Sequence, residues 1–206
     1  MNNLIISRSG NNSLHNNWLN GKYQNFDLII TYFNEDEPST IKEIKDSKKI
    51  VGPKWGGLFD YISKNKSILD QYDYFCFPDD DLSFDSDTIS NYFDILKILD
   101  ADLAQPSLDK ESFFSYPITL HHPCFARKTN YVELMIPTFS RKFLKEVYKQ
   151  WEGVNTGWGM DCDWYYQLKS LNFNDPYIID AIQVTHTRPV GLANSGSATG
   201  SSPWDE

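Results

Sequence analysis

An α/β fold, a mostly parallel central sheet flanked by helices, is predicted by three observations. Five short apolar runs are continuous rather than alternating, which marks strands buried on both faces. Segments of helical periodicity lie between them. Each run closes on a polar, Pro-containing or Gly-containing turn.

The elements follow in order. Leu4, Ile5 and Ile6 form the first strand, and residues 7–12 a polar loop. Residues 26–32, rich in β-formers, make the second, ended by Asn34, Glu35, Asp36, Glu37 and Pro38. Lys49, Ile50 and Val51 are a third strand, closed by Gly52-Pro53. Leu58, Tyr61 and Ile62 then share a helix face after Gly56-Gly57. Residues 72–77 are the fourth strand, closed by Pro78. Ile89, Tyr92, Phe93, Leu96 and Leu99 repeat at helical spacing. Leu103 to Gln105 make a fifth strand before Pro106. Phe143, Leu144, Val147, Tyr148 and Trp151 form another helix, with Ser140 as its N-cap. Residues 153–159 read as a loop, 161–171 as a short helix and 177–185 as one or two strands. One domain over residues 1–190 is expected, with 191–206 a polar tail or truncated loop.

Composition narrows the class. With 206 residues, 40% hydrophobic and 15% aromatic, the chain can build a core without metal or disulfide, and disorder is excluded as its main state. The net charge of -9 argues against nucleic acid as a partner, since such binding needs a basic face. Cys76, Cys124 and Cys162 include no CxxC pair, so neither a disulfide framework nor a structural zinc site is expected. No apolar run approaches the ~20 residues of a membrane span, and the N-terminus lacks signal-peptide features. The expected location is cytoplasmic, with peripheral contact at the inner face of a membrane compatible with it.

The most informative stretch is Phe77-Pro78-Asp79-Asp80-Asp81-Leu82, where a buried strand runs into three carboxylates. They repel one another, and no basic residue adjoins them in sequence. A divalent cation would relieve this, and oxygen ligands suit Mg²⁺ or Mn²⁺, which complete their shells with substrate phosphates. Asp79 and Asp81, two apart in an extended turn, can face one site while Asp80 faces elsewhere. A solvated turn before a helix cap at Asp85, Ser86 or Asp87 is the bland alternative. A calcium loop is disfavoured, because Ser83 and Phe84 replace a needed acid and glycine.

Gly157-Trp158-Gly159-Met160-Asp161-Cys162-Asp163-Trp164 is the second such stretch. Its glycines allow tight turns that set indoles beside Asp161 and Asp163. One acid can point into a cleft, and desolvation by the indoles would suit it to take a proton from a hydroxyl. The other can cap the following helix. Trp158 or Trp164 could stack on a sugar ring, while an ordinary capped loop over core tryptophans is the alternative. Third, His186 ends the last strand and can ligate Mn²⁺, although a lone strand-end histidine is more often structural. Arg188 follows as a candidate phosphate partner. Arg8, after strand one, and Lys54, between Gly52-Pro53 and Trp55-Gly56-Gly57, are weaker candidates for the nucleotide and donor phosphate. His121 and His122 are candidates to line the acceptor side.

Together these stretches resemble nucleotide-sugar glycosyltransferases of the GT-A fold. The Asp79–Asp81 run is similar to their DxD motif. The Gly157-Trp158-Gly159 loop with its following acids resembles that of the β-1,4-galactosyltransferases, and His186 falls where that family supplies a later histidine. Residues 72–191 are also similar to a plant and bacterial family long described as of unknown function. The similarity rests on the DDDL turn, Ala104 to Asp109, Val132-Glu133-Leu134-Met135 before Pro137-Thr138-Phe139-Ser140, and the loop before the histidine.

The resemblance implies a Rossmann-like GT-A domain with a smaller acceptor-side subregion. It also implies transfer of a sugar, with inversion, from a nucleotide-sugar donor (a UDP-sugar first) to a glycan or lipid-linked acceptor in bacterial surface polysaccharide synthesis. Asp81 and His186 would hold Mn²⁺ or Mg²⁺, and Asp79 would meet the ribose or the metal through water. Asp80, Arg8, Lys54 and Arg188 would face the donor, and Trp158, Gly159 and His121 the acceptor. Asp161 would be the base, but Cys162 interrupts the family's consecutive acids, so Asp163 stays open as the alternative. A metal-dependent phosphohydrolase and a non-catalytic glycan-binding module are the competing classes.

Overall fold

The structure, a computed structural model, describes residues 2–10, 12–33 and 44–190; the turn expected at 34–38 and the tail at 191–206 lie outside them. Strands β1 (Asn3–Ser9), β2 (Phe26–Tyr32) and β3 (Ile44–Lys49) precede helices α1 (Lys54–Lys64) and α2 (Ile68–Gln71). Strands β4 (Tyr74–Cys76) and β5 (Leu82–Ser83), helix α3 (Ser86–Leu99), and strands β6 (Leu103–Leu108), β7 (Arg127–Lys128) and β8 (Thr138–Ser140) follow. Helices α4 (Arg141–Val147) and α5 (Met160–Ser170) lead to the final strand β9 (Tyr177–His186).

These strands form a nine-stranded sheet in the order β3-β2-β1-β4-β8-β6-β9-β5, with β7 beside β9. The long ladders, β1 with β2, β2 with β3 and β6 with β9, are parallel. The central β8 is antiparallel to both β4 and β6. Alternating side chains feed two core layers. Leu4 and Ile6 pack against α1, α4 and α5 through Leu58, Phe143 and Trp164, whereas Ile5 faces α3 through Ile89, Phe93 and Leu96. Both faces of the sheet are therefore covered, which explains the continuous hydrophobic runs.

Local signals hold at several points. The side chain of Ser140 caps α4 by accepting from the N–H of Phe143 at 3.2 Å. Asp85 caps α3 by accepting from Thr88 at 2.8 Å. Residues 177–185 belong to one strand, whose pairing with β6 shifts register between Pro106 and Ser107.

Other expectations are corrected. The third strand spans Ile44–Lys49 rather than 49–51, and Val51 is exposed. Its Lys45, Lys48 and Lys49 suit a sheet edge, where charge discourages further pairing, but they hide the strand from a hydrophobicity reading. Strand β1 continues through Ser9, so Arg8 lies within it and not in a loop. The helix beginning near residue 161 is preceded by Gly159, not by an aspartate cap; Asp161 and Asp163 both occupy its first turn. Trp164 is buried against Trp55 and Phe139, with centroids 5.4 and 5.0 Å away, so it belongs to the core and not to a sugar platform.

Candidate functional site

The acidic turn lies beyond the carboxyl ends of β1 and β4, where open α/β sheets bind ligands. Its backbone is fixed from several segments. Asp79 N–H donates to Met135 O at 2.7 Å, and Asp80 O accepts from Leu14 N–H at 2.7 Å. Asp81 O accepts both the N–H (3.1 Å) and the hydroxyl (2.7 Å) of Thr187. With the main chain held, the three carboxylates diverge.

Each meets a different cationic group. Lys54 Nζ donates to Asp79 Oδ1 at 2.6 Å and to Leu134 O at 2.6 Å. Burial pushes the Asp79 carboxyl up, against the pull of Lys54. Asp80 Oδ2 accepts from Gly10 N–H at 2.7 Å, and its Oδ1 lies 3.3 Å from Arg188 Nη1. Burial raises its pKa too, outweighing both partners. Asp81 Oδ2 lies 3.3 Å from His186 Nε2. Burial pushes Asp81 upward, but the bond and charge of His186 outweigh it and hold the carboxyl below its usual value. Thus the cations that the local sequence lacks arrive from α1 and from the segment closing β9. Asp80 faces elsewhere than Asp81, but Asp79, expected to share a site with Asp81, is engaged by Lys54 while Asp81 meets His186.

The imidazole of His186 is oriented by Phe113 O, 2.7 Å from Nδ1. That bond assigns the Nδ1 proton and turns the Nε2 lone pair toward Asp81. Two electron-rich atoms cannot face each other at 3.3 Å unless a proton or another cation lies between them. The other oxygen, Asp81 Oδ1, is buried without a partner among the described residues. No three His, Cys, Asp or Glu side chains among the described residues are gathered closely enough to hold a metal ion, and Asp79 is engaged by Lys54. A two-ligand protein contribution does fit. Adjacent ligands ~2.1 Å from one octahedral ion stand about 3.0 Å apart, close to the Asp81–His186 separation.

The glycine-tryptophan loop is built around a core contact. Gly157 has φ 75°, and a Cβ there would lie 2.3 Å from Trp55 Cδ1. Trp55 is itself wedged against Trp151 and Trp164 and cannot yield. Gly157→Ala should therefore lower stability by about 2–4 kcal/mol, from left-handed strain plus overpacking. Chemical denaturation measures this, and a loss below about 0.5 kcal/mol would contradict the close packing. Downstream, Asp161 Oδ2 accepts the hydroxyl of Tyr131 at 2.7 Å and Oδ1 accepts Cys162 N–H at 3.0 Å. Its companion is thus a phenol rather than an indole. Asp163 is exposed and is bonded by Gln167.

The remaining candidates scatter. Trp158 is 53% exposed beside Gly159, the residue before α5. Arg8 is buried to 4% exposure, donates to Gly52 O at 2.5 Å and lies against Gly57, under the start of α1 rather than open to a nucleotide. Burial lowers its pKa to about 10, against the pull of Asp60. His121 is set apart, with Nδ1 3.1 Å from Asp180 O, in a hollow of about 360 Å³ shared with Leu108, Asp109 and Gln183. Among the described residues it makes no hydrogen bond to the acidic turn or to Asp161. The N–H of neighbouring His122 donates to the Asp180 carboxylate at 2.7 Å.

Sequence reasoning assigned no role to Glu133. It is buried at 6% exposure, and its carboxyl, pushed up by burial, stands within the electrostatic reach of Asp79, His186 and Asp161. A lone acid in an apolar stretch, Val132-Glu133-Leu134-Met135, was the available signal.

Known structures share this architecture. S. aureus TarS superposes with a TM-score of 0.58 at 10% identity, over 91% of this chain and 37% of TarS. TarS 1–349 in complex with UDP-GlcNAc gives 0.60 at 12% identity, over 93% of this chain and 60% of that one. A197 from STIV gives 0.51 at 13% identity, over 90% and 85% of the respective chains. At such identities the likeness is one of fold, and this chain spans less than two thirds of either TarS structure. No curated protein sequence matches it significantly. By architecture the protein is an α/β domain of the GT-A-like class. It belongs to the DUF707 family, described as protein of unknown function, whose model matches residues 63–206.

Proposed function

We propose that the protein is a metal-dependent glycosyltransferase that moves a sugar, with inversion, from a nucleoside-diphosphate donor to a hydroxyl of a glycan or lipid-linked acceptor. A UDP-sugar is the first donor to test, since TarS 1–349 binds UDP-GlcNAc on the same fold. The observation that carries the reading is the confrontation of His186 Nε2 with Asp81 at 3.3 Å, beside an unpartnered Asp81 Oδ1. Asp81 and His186 would hold Mn²⁺ or Mg²⁺. When bound, the ion supplies positive charge for the departing diphosphate.

The chain's own groups do the rest. Lys54 and Arg188 add positive charge beside the turn, and Phe113 O keeps the imidazole in its ligating tautomer. Asp161 accepts the proton of the acceptor hydroxyl. That oxygen then bonds to the anomeric carbon, and the carbon–phosphate oxygen bond breaks with its electron pair leaving on the diphosphate. The Tyr131 hydroxyl fixes the orientation of Asp161.

A panel of nucleoside diphosphates, scored by thermal stabilisation with and without Mn²⁺, tests this. One nucleotide should stabilise, and only with the metal. Indifference to every nucleotide would indicate a glycan-binding module, and hydrolysis would indicate a phosphohydrolase. Mn²⁺ affinity should also depend on pH. Burial lowers the pKa of His186, but its bond to Asp81 outweighs this and raises it above 6.5. The metal-free ion pair is therefore fully present below pH 6.5 and lost as pH rises through that raised value. Asp81, held below 3.8, stays ionised throughout this interval. Mn²⁺ must displace the imidazole proton, so its affinity should climb about tenfold per pH unit and then level off, with one proton released. A pH-independent affinity would remove His186 from the metal shell.

A further inference from the structure

Residues 131–135 run between the two halves of the site. At one end the Tyr131 hydroxyl holds Asp161. At the other, Leu134 O shares Lys54 with Asp79, and Met135 O accepts the Asp79 N–H. Glu133 lies midway. Its N–H donates to the side-chain oxygen of the fully buried Gln105 at 2.6 Å, which fixes the main chain.

The carboxyl itself is poorly accommodated. Ser115 bonds it, yet Oε2 has no partner among the described residues. The charged groups acting on it include Asp79, His186 and Asp161, two of them acids. A buried acid beside two others costs stability and strengthens no fold contact in proportion. Such a group is explained by a ligand that completes its hydrogen bonding.

The order of groups along the site identifies that ligand. In the proposed transfer the diphosphate leaves on the side of Asp79 and His186, and the acceptor oxygen lies by Asp161. Between them lies the sugar being transferred. We infer that Glu133 borders this sugar and accepts a hydrogen bond from one of its hydroxyls, making it a residue that selects the donor. The assignment rests on the glycosyl-transfer reading. Ser115, on an exposed loop, bonds the carboxyl already, and the sugar hydroxyl would supply the partner that Oε2 lacks.

Calorimetry on the full chain with Mn²⁺, using a nucleoside diphosphate and the matching nucleotide sugar, tests the inference. Glu133→Ala should leave nucleoside-diphosphate affinity within about twofold and weaken nucleotide-sugar binding about 10–100-fold. A donor lacking the contacted hydroxyl should lose as much on the unsubstituted protein and little more on the variant. Glu133→Gln guards against misfolding. It should melt at or above the parent temperature, because it relieves the crowding of acids, and should still discriminate against the sugar. Equal weakening of both ligands, or none, overturns the assignment. If the unsubstituted protein binds no nucleoside diphosphate, the transferase reading fails first and Glu133 with it.

Discussion

Asp81→Ala should abolish stabilisation by the donor nucleotide in the presence of Mn²⁺. The unsubstituted protein, with ligand at a hundred times its dissociation constant, gains about 2.7 kcal/mol, or roughly 5–10 °C in melting temperature. The variant should gain nothing, because His186 alone is a single ligand and Asp79 remains engaged by Lys54. The metal-free variant should also be weaker by about 1–3 kcal/mol, since a buried imidazole loses its partner. A retained shift would place the ion elsewhere and leave Asp81 as a structural partner of His186.

The second large effect is expected at the base. Asp161→Asn should reduce transfer about 10²–10⁴-fold while donor affinity stays within twofold. Asp163→Asn should transfer at close to the normal rate. The two acids are separated by environment. Asp161 is half-buried and oriented by Tyr131, while Asp163 faces solvent beside Gln167. Initial rates with saturating donor decide between them, and loss on substitution of Asp163 instead would reverse the assignment.

Much of the frame was legible in the residues. Phe26–Tyr32, the α3 periodicity and the Ser140 cap are local properties, and the structure realises them where they occur. The acidic turn was legible as a site because charge clustering after a buried strand is itself a local anomaly. What compensates that charge was not. Lys54, Arg188 and His186 reach the turn only through tertiary folding, so no window around residue 80 contains them. Strand β8 was hidden for a related reason. Three residues are too few for a periodic signal, and pairing with β4 and β6, not propensity, makes them a strand. Glu133 could be read as an acid in an apolar stretch, but its missing partner is visible only once Asp79, His186 and Asp161 surround it.

The clasp formed by three consecutive aspartates has a kinetic meaning. The Arg188 guanidinium that grips Asp80 also bonds Asn12 O, across a separation of 176 residues. A chain emerging from the ribosome cannot close this junction until Arg188 has been synthesised. Contacts of such high order are slow to form, so the end of the sheet that carries the acidic turn matures only after β9 and Arg188 have emerged.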